Sequence, residues 1–242
     1  EIALDELYDA AYSCTGCRRC MVYCPFGIDT QMLMYIAKLL LVGAESEPEI
    51  LTLLADTSIE KGKSIDLFKE NFMKGIKRLE AEVVEKWKME AEETAIPVDV
   101  EGADLLYVAL AGAHSIIPAA AIFNAAGENW TLPREGSDMT TFALFPRDDD
   151  LGGAVARRLY DKTEELRGKT LVMSECGHGY RSTRCEGANW AQYDVPFPME
   201  SSVETMLRYV KEGKIKVDKS KNSRRVTYHD SCNFGRSCGM TE

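Results

Sequence analysis

The chain has 242 residues, with 39 acidic side chains, 29 basic side chains and a formal net charge of −10. It therefore lacks the broad basic surface that nucleic-acid binding requires. The most apolar run, residues 32–44, is interrupted by Lys38 and is shorter than the roughly 20 residues that a membrane-spanning helix needs. A chain that is 45% hydrophobic can form a sizeable core without disulfides, so its eight cysteines indicate metal ligation in a reducing compartment.

The N-terminal part of the chain is predicted to be helical. Residues 5–12 predict a short helix that leads into a cysteine-rich stretch, and residues 31–41 predict an apolar helix that follows it. From Ser64, a possible N-cap, apolar residues recur every three or four positions, which predicts a long amphipathic helix closed off by Pro97. Its apolar stripe, interpreted as core, comprises Ile65, Phe68, Phe72, Ile76, Leu79, Val83 and Trp87.

After Pro97 the pattern changes to strands that alternate with helices. The predicted strands span residues 104–110, 169–174 and 224–230, and the predicted helices span 116–126, 151–168 and 202–213. The last of these helices begins with a capping box, because Ser201 is followed three residues later by Glu204. Such alternation predicts a parallel sheet. The expected fold class is α+β overall, with a helical ferredoxin-like iron–sulfur domain followed by an α/β domain of parallel βαβ units.

Four cysteines form the strongest motif in the chain. Cys14, Cys17, Cys20 and Cys24 follow the spacing C-x2-C-x2-C-x3-C and precede Pro25, which is typical of a cubane [4Fe–4S] cluster. A zinc site would more usually pair two C-x2-C knuckles that lie far apart in sequence. In two-cluster ferredoxins the fourth cysteine binds the other cluster. Two alternatives therefore remain open: Cys24 completes its own cluster, or a second motif precedes this one.

Three segments resemble one protein family. The segments "CPFGID" (24–29), "SECGHGYR" (174–181) and "TYHDSCNFGR" (227–236) resemble the D-type subunit of heterodisulfide reductase and its relatives with CCG domains. The likeness is greatest to the DsrK, TmcB and HmcF types of protein from membrane redox complexes of sulfate reducers. The resemblance implies a ferredoxin-type domain at 1–96, a degenerate first CCG half at 97–223 and the start of a second CCG half at 224–242.

The same resemblance implies a second, atypical cluster. Cys232 would be its ligand and the catalytic cysteine, and Cys176 would supply a further ligand. In the first half, "AGAHS" (111–115) and "EGSDMT" (135–140) stand where the family has cysteines, so that half cannot assemble a four-thiolate cluster of its own. The roles of Cys185 and Cys238 remain open. The family pattern also continues beyond these residues, so we expect a protein about twice as long, with another ferredoxin motif upstream.

The implied function is electron transfer in a membrane-associated respiratory complex. The protein would be an oxidoreductase that acts on sulfur groups and lies peripherally on the cytoplasmic side of the inner membrane. It would take electrons from a haem-b membrane subunit, beside multihaem cytochrome c and ferredoxin-like subunits, and deliver them to a disulfide or trisulfide thiol carrier. Two alternatives are a pure electron relay without a substrate site and a zinc-stabilised interaction module.

Overall fold

A computed structural model describes residues 3–61, 72–88, 90–109, 113–139, 142–174 and 176–240. Its N-terminal part is helical, as predicted. The helices are α1 (Leu4–Tyr12), α2 (Arg19–Tyr23), α3 (Thr30–Gly43), α4 (Glu49–Lys61) and α5 (Phe72–Trp87). The Asp29 side chain caps α3 by accepting a hydrogen bond from the Met32 N–H at 3.2 Å. The predicted helices at 5–12 and 31–41 are confirmed, and α4 is an addition.

The long amphipathic helix is only partly as predicted. Its stripe is buried at Ile76, Leu79 and Val83, which confirms the interpretation as core. However, α5 ends at Trp87, and the extension towards Pro97 is wrong. Lys88 has a left-handed backbone conformation with φ of 55°, and a separate short 3₁₀ turn follows at Ala91–Thr94. The start of the predicted helix lies outside the described residues.

The second half contains a four-stranded parallel sheet. Its strands are β1 (Leu105–Val108), β2 (Trp130–Thr131), β3 (Thr170–Met173) and β4 (Met199–Ser201), in the order β2-β1-β3-β4. The strands alternate with α6 (Ala113–Ala125), α7 (Asp149–Glu165), α8 (Gly177–Tyr180), α9 (Gly187–Trp190) and α10 (Ser202–Lys211). Two π-helical segments, Arg181–Glu186 and Cys232–Ser237, complete this half. The predicted strands at 104–110 and 169–174 are confirmed.

The predicted strand at 224–230 is wrong. These residues form no helix or strand, and every one of them is exposed. Val226 and Tyr228 give the segment a strand-like composition, but both are 79% exposed. A strand persists only where a neighbour completes its hydrogen-bond ladder, and this segment has no such neighbour among the described residues. Cys232 therefore follows an extended, solvent-exposed segment.

Both faces of the sheet are covered, as expected for parallel strands. Along β1, Leu105 and Tyr107 pack into one hydrophobic cluster with α5 and α6, whereas Leu106 and Val108 pack into a second cluster with α7. This alternation is the period of two that a strand imposes on its side chains. The second cluster also contains Phe234, so the residues around Cys232 are anchored to this face of the sheet.

Candidate iron–sulfur site

The turn between α1 and α2 carries the first cysteines of the motif. Gly16 has a φ of +68°, and a Cβ at this position would come within 2.9 Å of the Tyr35 hydroxyl oxygen. Glycine is therefore needed both for the backbone conformation and for space. Its N–H donates a hydrogen bond to the Cys14 sulfur at 3.4 Å. The turn thus directs a backbone donor towards a predicted ligand.

The chemistry of the donor set fits an iron–sulfur cluster. Cys14, Cys17, Cys20 and Cys24 are all free thiols, and Cys20 is exposed. A hydrogen bond from the Arg19 N–H lowers the pKa of Cys17, with help from Thr15 and from the charge of Arg236, although burial opposes them. This favours the thiolate, which is the form that binds iron. Within the described part of the chain, no three His, Cys, Asp or Glu side chains gather closely enough to hold one metal ion.

Four cations hold the cysteine turn through its carbonyl oxygens and its flanks. Lys38 Nζ donates to the Cys14 carbonyl at 2.8 Å, and Arg236 Nε donates to the Cys17 carbonyl at 2.8 Å. Arg181 Nη1 donates to the Gly16 carbonyl at 3.0 Å. Arg18 lies within the turn and pairs with Asp29 at 2.8 Å. Positive charges and donors near a cluster offset its negative charge and raise its reduction potential.

Arg181 is the centre of this arrangement, and sequence reasoning missed it. Its side chain is 5% exposed, and its Nε lies 2.6 Å from the Glu186 carboxylate. Nη1 also donates to the Ser237 hydroxyl at 3.2 Å, and Nη2 donates to the Gln31 side-chain oxygen at 3.4 Å. One guanidinium therefore joins the cysteine turn, α3 and the segment after Cys232. Only the tertiary structure brings these segments together, so no local signal marks this arginine.

The two other predicted ligands lie on adjoining loops. Cys176 follows β3, at the carboxyl edge of the sheet where parallel α/β proteins place their ligands. Its sulfur accepts a hydrogen bond from the Gly179 N–H at 3.3 Å. A Cβ at Gly177 would lie 3.0 Å from the Ser231 hydroxyl oxygen and 3.1 Å from the Asn233 Cβ. The loops that carry Cys176 and Cys232 are therefore in direct contact, and both cysteines are half-buried.

The remaining two cysteines, whose roles the sequence left open, are bonded to each other. A disulfide joins Cys185 to Cys238, with their Cα atoms 6.1 Å apart and a sequence separation of 53. Cys185 lies in the π-helical segment Arg181–Glu186, which follows the short helix that starts beside Cys176, and Cys238 follows the π-helical segment that starts at Cys232. The disulfide therefore fastens the Cys232 segment to the Cys176 segment.

Comparisons with known proteins agree with the resemblance. No protein-family model matches the chain, and no solved structure matches it either. It is 24% identical over 288 residues to iron–sulfur subunit 2 of an Hdr-like menaquinol oxidoreductase from Archaeoglobus fulgidus, covering 100% of this chain and 51% of the relative. It is 26% identical over 245 residues to the D-type subunit of the dihydromethanophenazine:CoB–CoM heterodisulfide reductase from Methanosarcina mazei, covering 98% and 56% respectively.

These relatives confirm the predicted resemblance, since they are homologous to the chain along its whole length at 24% and 26% identity. The chain spans about half the length of the curated relatives that it matches. Both relatives are named as subunits of redox complexes. The name of the Archaeoglobus fulgidus complex contains a quinol, and the name of the Methanosarcina mazei complex contains a heterodisulfide.

Proposed function

We propose that the protein is an iron–sulfur electron-transfer subunit of an Hdr-like oxidoreductase complex. The observation that carries the proposal is the chemistry of the cysteine turn, whose four free thiols have cluster spacing and whose backbone contacts directed N–H donors and nearby cations. Cys14, Cys17, Cys20 and Cys24 would hold a [4Fe–4S] cluster, which supplies one-electron transfer when it is bound. The names of the relatives support this assignment, because they are iron–sulfur and heterodisulfide reductase subunits.

We further propose that the electrons run from a membrane subunit with haem b to a disulfide or trisulfide carrier. The acceptor end of this route is supported by the heterodisulfide in the name of the relative from Methanosarcina mazei. Cys232 and Cys176 would hold the second, atypical cluster on the adjoining loops, and Cys232 would be the residue at which sulfur chemistry occurs. The contact of these loops with the cysteine turn through Arg236 supports a short path between the two sites.

Another protein subunit of the complex would dock on the outer face of α3. Met32, Leu33, Ile36 and Leu40 form an apolar stripe on this face, and Leu40 is 64% exposed. No helix in the described part of the chain is long and apolar enough to cross a membrane. A net charge of −10 repels anionic lipid headgroups, so we propose that a protein subunit covers this stripe rather than lipid. An exposed apolar stripe of this size is typical of a protein interface.

The first experiment measures iron, acid-labile sulfide and the EPR spectrum of the intact protein, purified anaerobically, and of two matched variants. Cys17→Ser should lose the cubane signal, because a cluster ligand is removed. Cys185→Ser, the same change outside the motif, should keep the signal. If Cys17→Ser retains its iron and its spectrum, the ligand assignment is wrong.

The second experiment separates disulfide reduction from a pure relay. Cys232→Ser should abolish reduction of a disulfide carrier while the cubane EPR signal survives, because the two sites lie on different loops. Turnover that persists in Cys232→Ser would contradict the catalytic role and support the relay alternative.

A further inference from the structure

The Cys185–Cys238 disulfide uses neither of the two cysteines that we predict as ligands of the second cluster. Cys185 lies about two and a half helical turns beyond Cys176, which corresponds to roughly 13 Å along a helix. Cys238 lies at the opposite end of the π-helical segment from Cys232. The bonded pair is therefore offset along the chain from Cys176 and Cys232, although Cys176, Cys185 and Cys238 all pack against the second hydrophobic cluster.

The disulfide instead lies beside the cysteine turn. Ser237, the residue before Cys238, accepts a hydrogen bond from Arg18 at its carbonyl (3.4 Å) and one from Arg181 at its hydroxyl (3.2 Å). Arg236, one residue earlier, donates to the Cys17 carbonyl at 2.8 Å. Two consecutive residues thus connect the Cys238 end of the disulfide to the backbone of the predicted cluster ligands.

The environment of the disulfide suits a redox reaction. Cys185 and Cys238 are both half-buried, so water reaches them and protons are available. Both cysteines pack against the second hydrophobic cluster, which places the pair at its edge. Cys14, Cys17, Cys20, Cys24 and Cys232 are free thiols. In a reducing compartment, a disulfide that forms among free thiols is usually catalytic or redox-sensing.

We propose that Cys185 and Cys238 form a two-electron acceptor for the cysteine turn. The S–S bond breaks on accepting two electrons and two protons, which gives two thiols. The electrons come one at a time from the [4Fe–4S] cluster at Cys14–Cys24, and the protons come from water. This inference rests on the proposed function, because that cluster is the reductant. The couple would store two electrons at the point where single electrons arrive, as disulfide reduction requires.

Differential alkylation with mass spectrometry tests this redox couple. The holoprotein is photoreduced anaerobically with a deazaflavin, and the new thiols at Cys185 and Cys238 are quantified. We expect both thiols to appear in the wild type and to be largely lost in Cys17→Ser, which lacks the cluster but retains the disulfide. The Cys185→Ser/Cys238→Ser double variant should accept two fewer electrons per chain in a reductive titration and keep the cubane EPR signal.

The possible outcomes distinguish this inference from the proposed function. If the EPR spectrum shows a reduced cubane while Cys185 and Cys238 stay bonded, the disulfide is a static cross-link and only this inference fails. Equal reduction of the pair in the wild type and in Cys17→Ser shows that the cluster is not its electron donor, which also overturns the inference. If the wild type holds no iron, the proposed function fails first.

Discussion

Helices α3 and α6 differ in the residues that they bury and in those that they expose. In α6, Ile116, Ile117 and Phe123 point into the core beside the sheet. In α3, the polar Gln31 and Lys38, each 3% exposed, are buried beside Tyr35 and Leu41, whereas the stripe of Met, Leu and Ile residues faces outward. The α/β half is thus held by apolar burial, whereas the cysteine turn is held largely by charged and polar contacts.

The difference teaches that the two halves respond to different perturbations. Apolar burial contributes about 25 cal/mol for each Å² of surface removed from water and does not depend on direction. The contacts of Arg181 and Lys38 depend on geometry, and a buried charge that loses its partner is costly. The N-terminal half should therefore be sensitive to single polar substitutions and tolerant of changes on its outward apolar face.

The largest effect is expected for Arg181→Ala. Because this change leaves the partly buried Glu186 without one of its two arginine partners and removes the buried Arg181 contacts to Gly16 and Ser237, it should lower the free energy of unfolding by about 3–5 kcal/mol. Proteolysis near the cysteine turn and denaturant unfolding would measure it. Arg181→Lys is the matched control, and it should recover only part of the loss because it lacks the planar fork. An effect below about 1 kcal/mol would contradict the role of Arg181 in holding the turn.

The next effect is expected for Leu171→Ala in β3. Leu171 is 0% exposed in the second hydrophobic cluster, so the change leaves a cavity and should cost about 2–5 kcal/mol. Thermal and denaturant unfolding would measure the loss. In this variant the free energy of unfolding should fall, and the cysteine turn should show no change of its own. Selective loss of cluster iron at full overall stability would argue against two differently stabilised halves.

A smaller, pH-dependent effect is expected for Glu204→Gln. Glu204 belongs to the capping box with Ser201 and lies 2.9 Å from Arg184. Burial alone would raise its pKa, but hydrogen bonds from Ser201, Arg184 and Tyr180 outweigh it and hold the pKa below its ordinary value of 4.5. A carboxyl with a lowered folded-state pKa stabilises the fold above its unfolded value, and this contribution is lost as the pH falls through the folded value.

Glu204→Gln should therefore cost about 1 kcal/mol at neutral pH. The difference from the wild type should shrink as the pH falls below 4.5 and should vanish once the pH is below the lowered folded-state pKa. Unfolding curves recorded at a series of pH values would measure this. A cost that stays constant from neutral pH into strong acid would show that the carboxylate charge is not responsible.

The smallest effect on the isolated protein is expected for Leu40→Ala, the same substitution as in β3 but on the outward face of α3. Leu40 is 64% exposed, so the change should alter the free energy of unfolding by less than about 0.5 kcal/mol. If a partner protein covers this face, Leu40→Ala should weaken its co-purification. A cost as large as that of Leu171→Ala would mean that the stripe is buried within the protein itself.

Local patterns predicted the features that depend on neighbours in sequence. The buried runs of β1 and β3, the capping box at Ser201 and the spacing of Cys14–Cys24 are all short-range signals. Residues 224–230 have strand-like composition as well, but strand formation depends on a distant partner that the composition does not reveal. The cysteine spacing is compatible with a cluster, and the ligand role of these residues stays a prediction.

Long-range features lay beyond sequence reasoning. Arg236 and Cys17 are separated by 219 residues, and Arg181 and Gly16 by 165, so nothing near either arginine indicates its contact. The sequence of α3 shows that the helix is apolar, but it does not show which face of the helix is buried. That depends on the groups that the rest of the protein places beside it. Here the inward face of α3 carries Lys38, because its Nζ donates a hydrogen bond to the Cys14 carbonyl of the cysteine turn.

The 219 residues between Cys17 and Arg236 also have a consequence for biosynthesis. A ribosome adds about 5–20 residues per second, so the cysteine turn emerges about 10–45 s before the arginine that will hold it. During that interval the four thiols are on a nascent chain without their cationic contacts. If Cys14, Cys17, Cys20 and Cys24 bind the proposed cluster, iron and sulfide have this interval in which to reach an open segment, before Arg181 and Arg236 make their contacts with the turn.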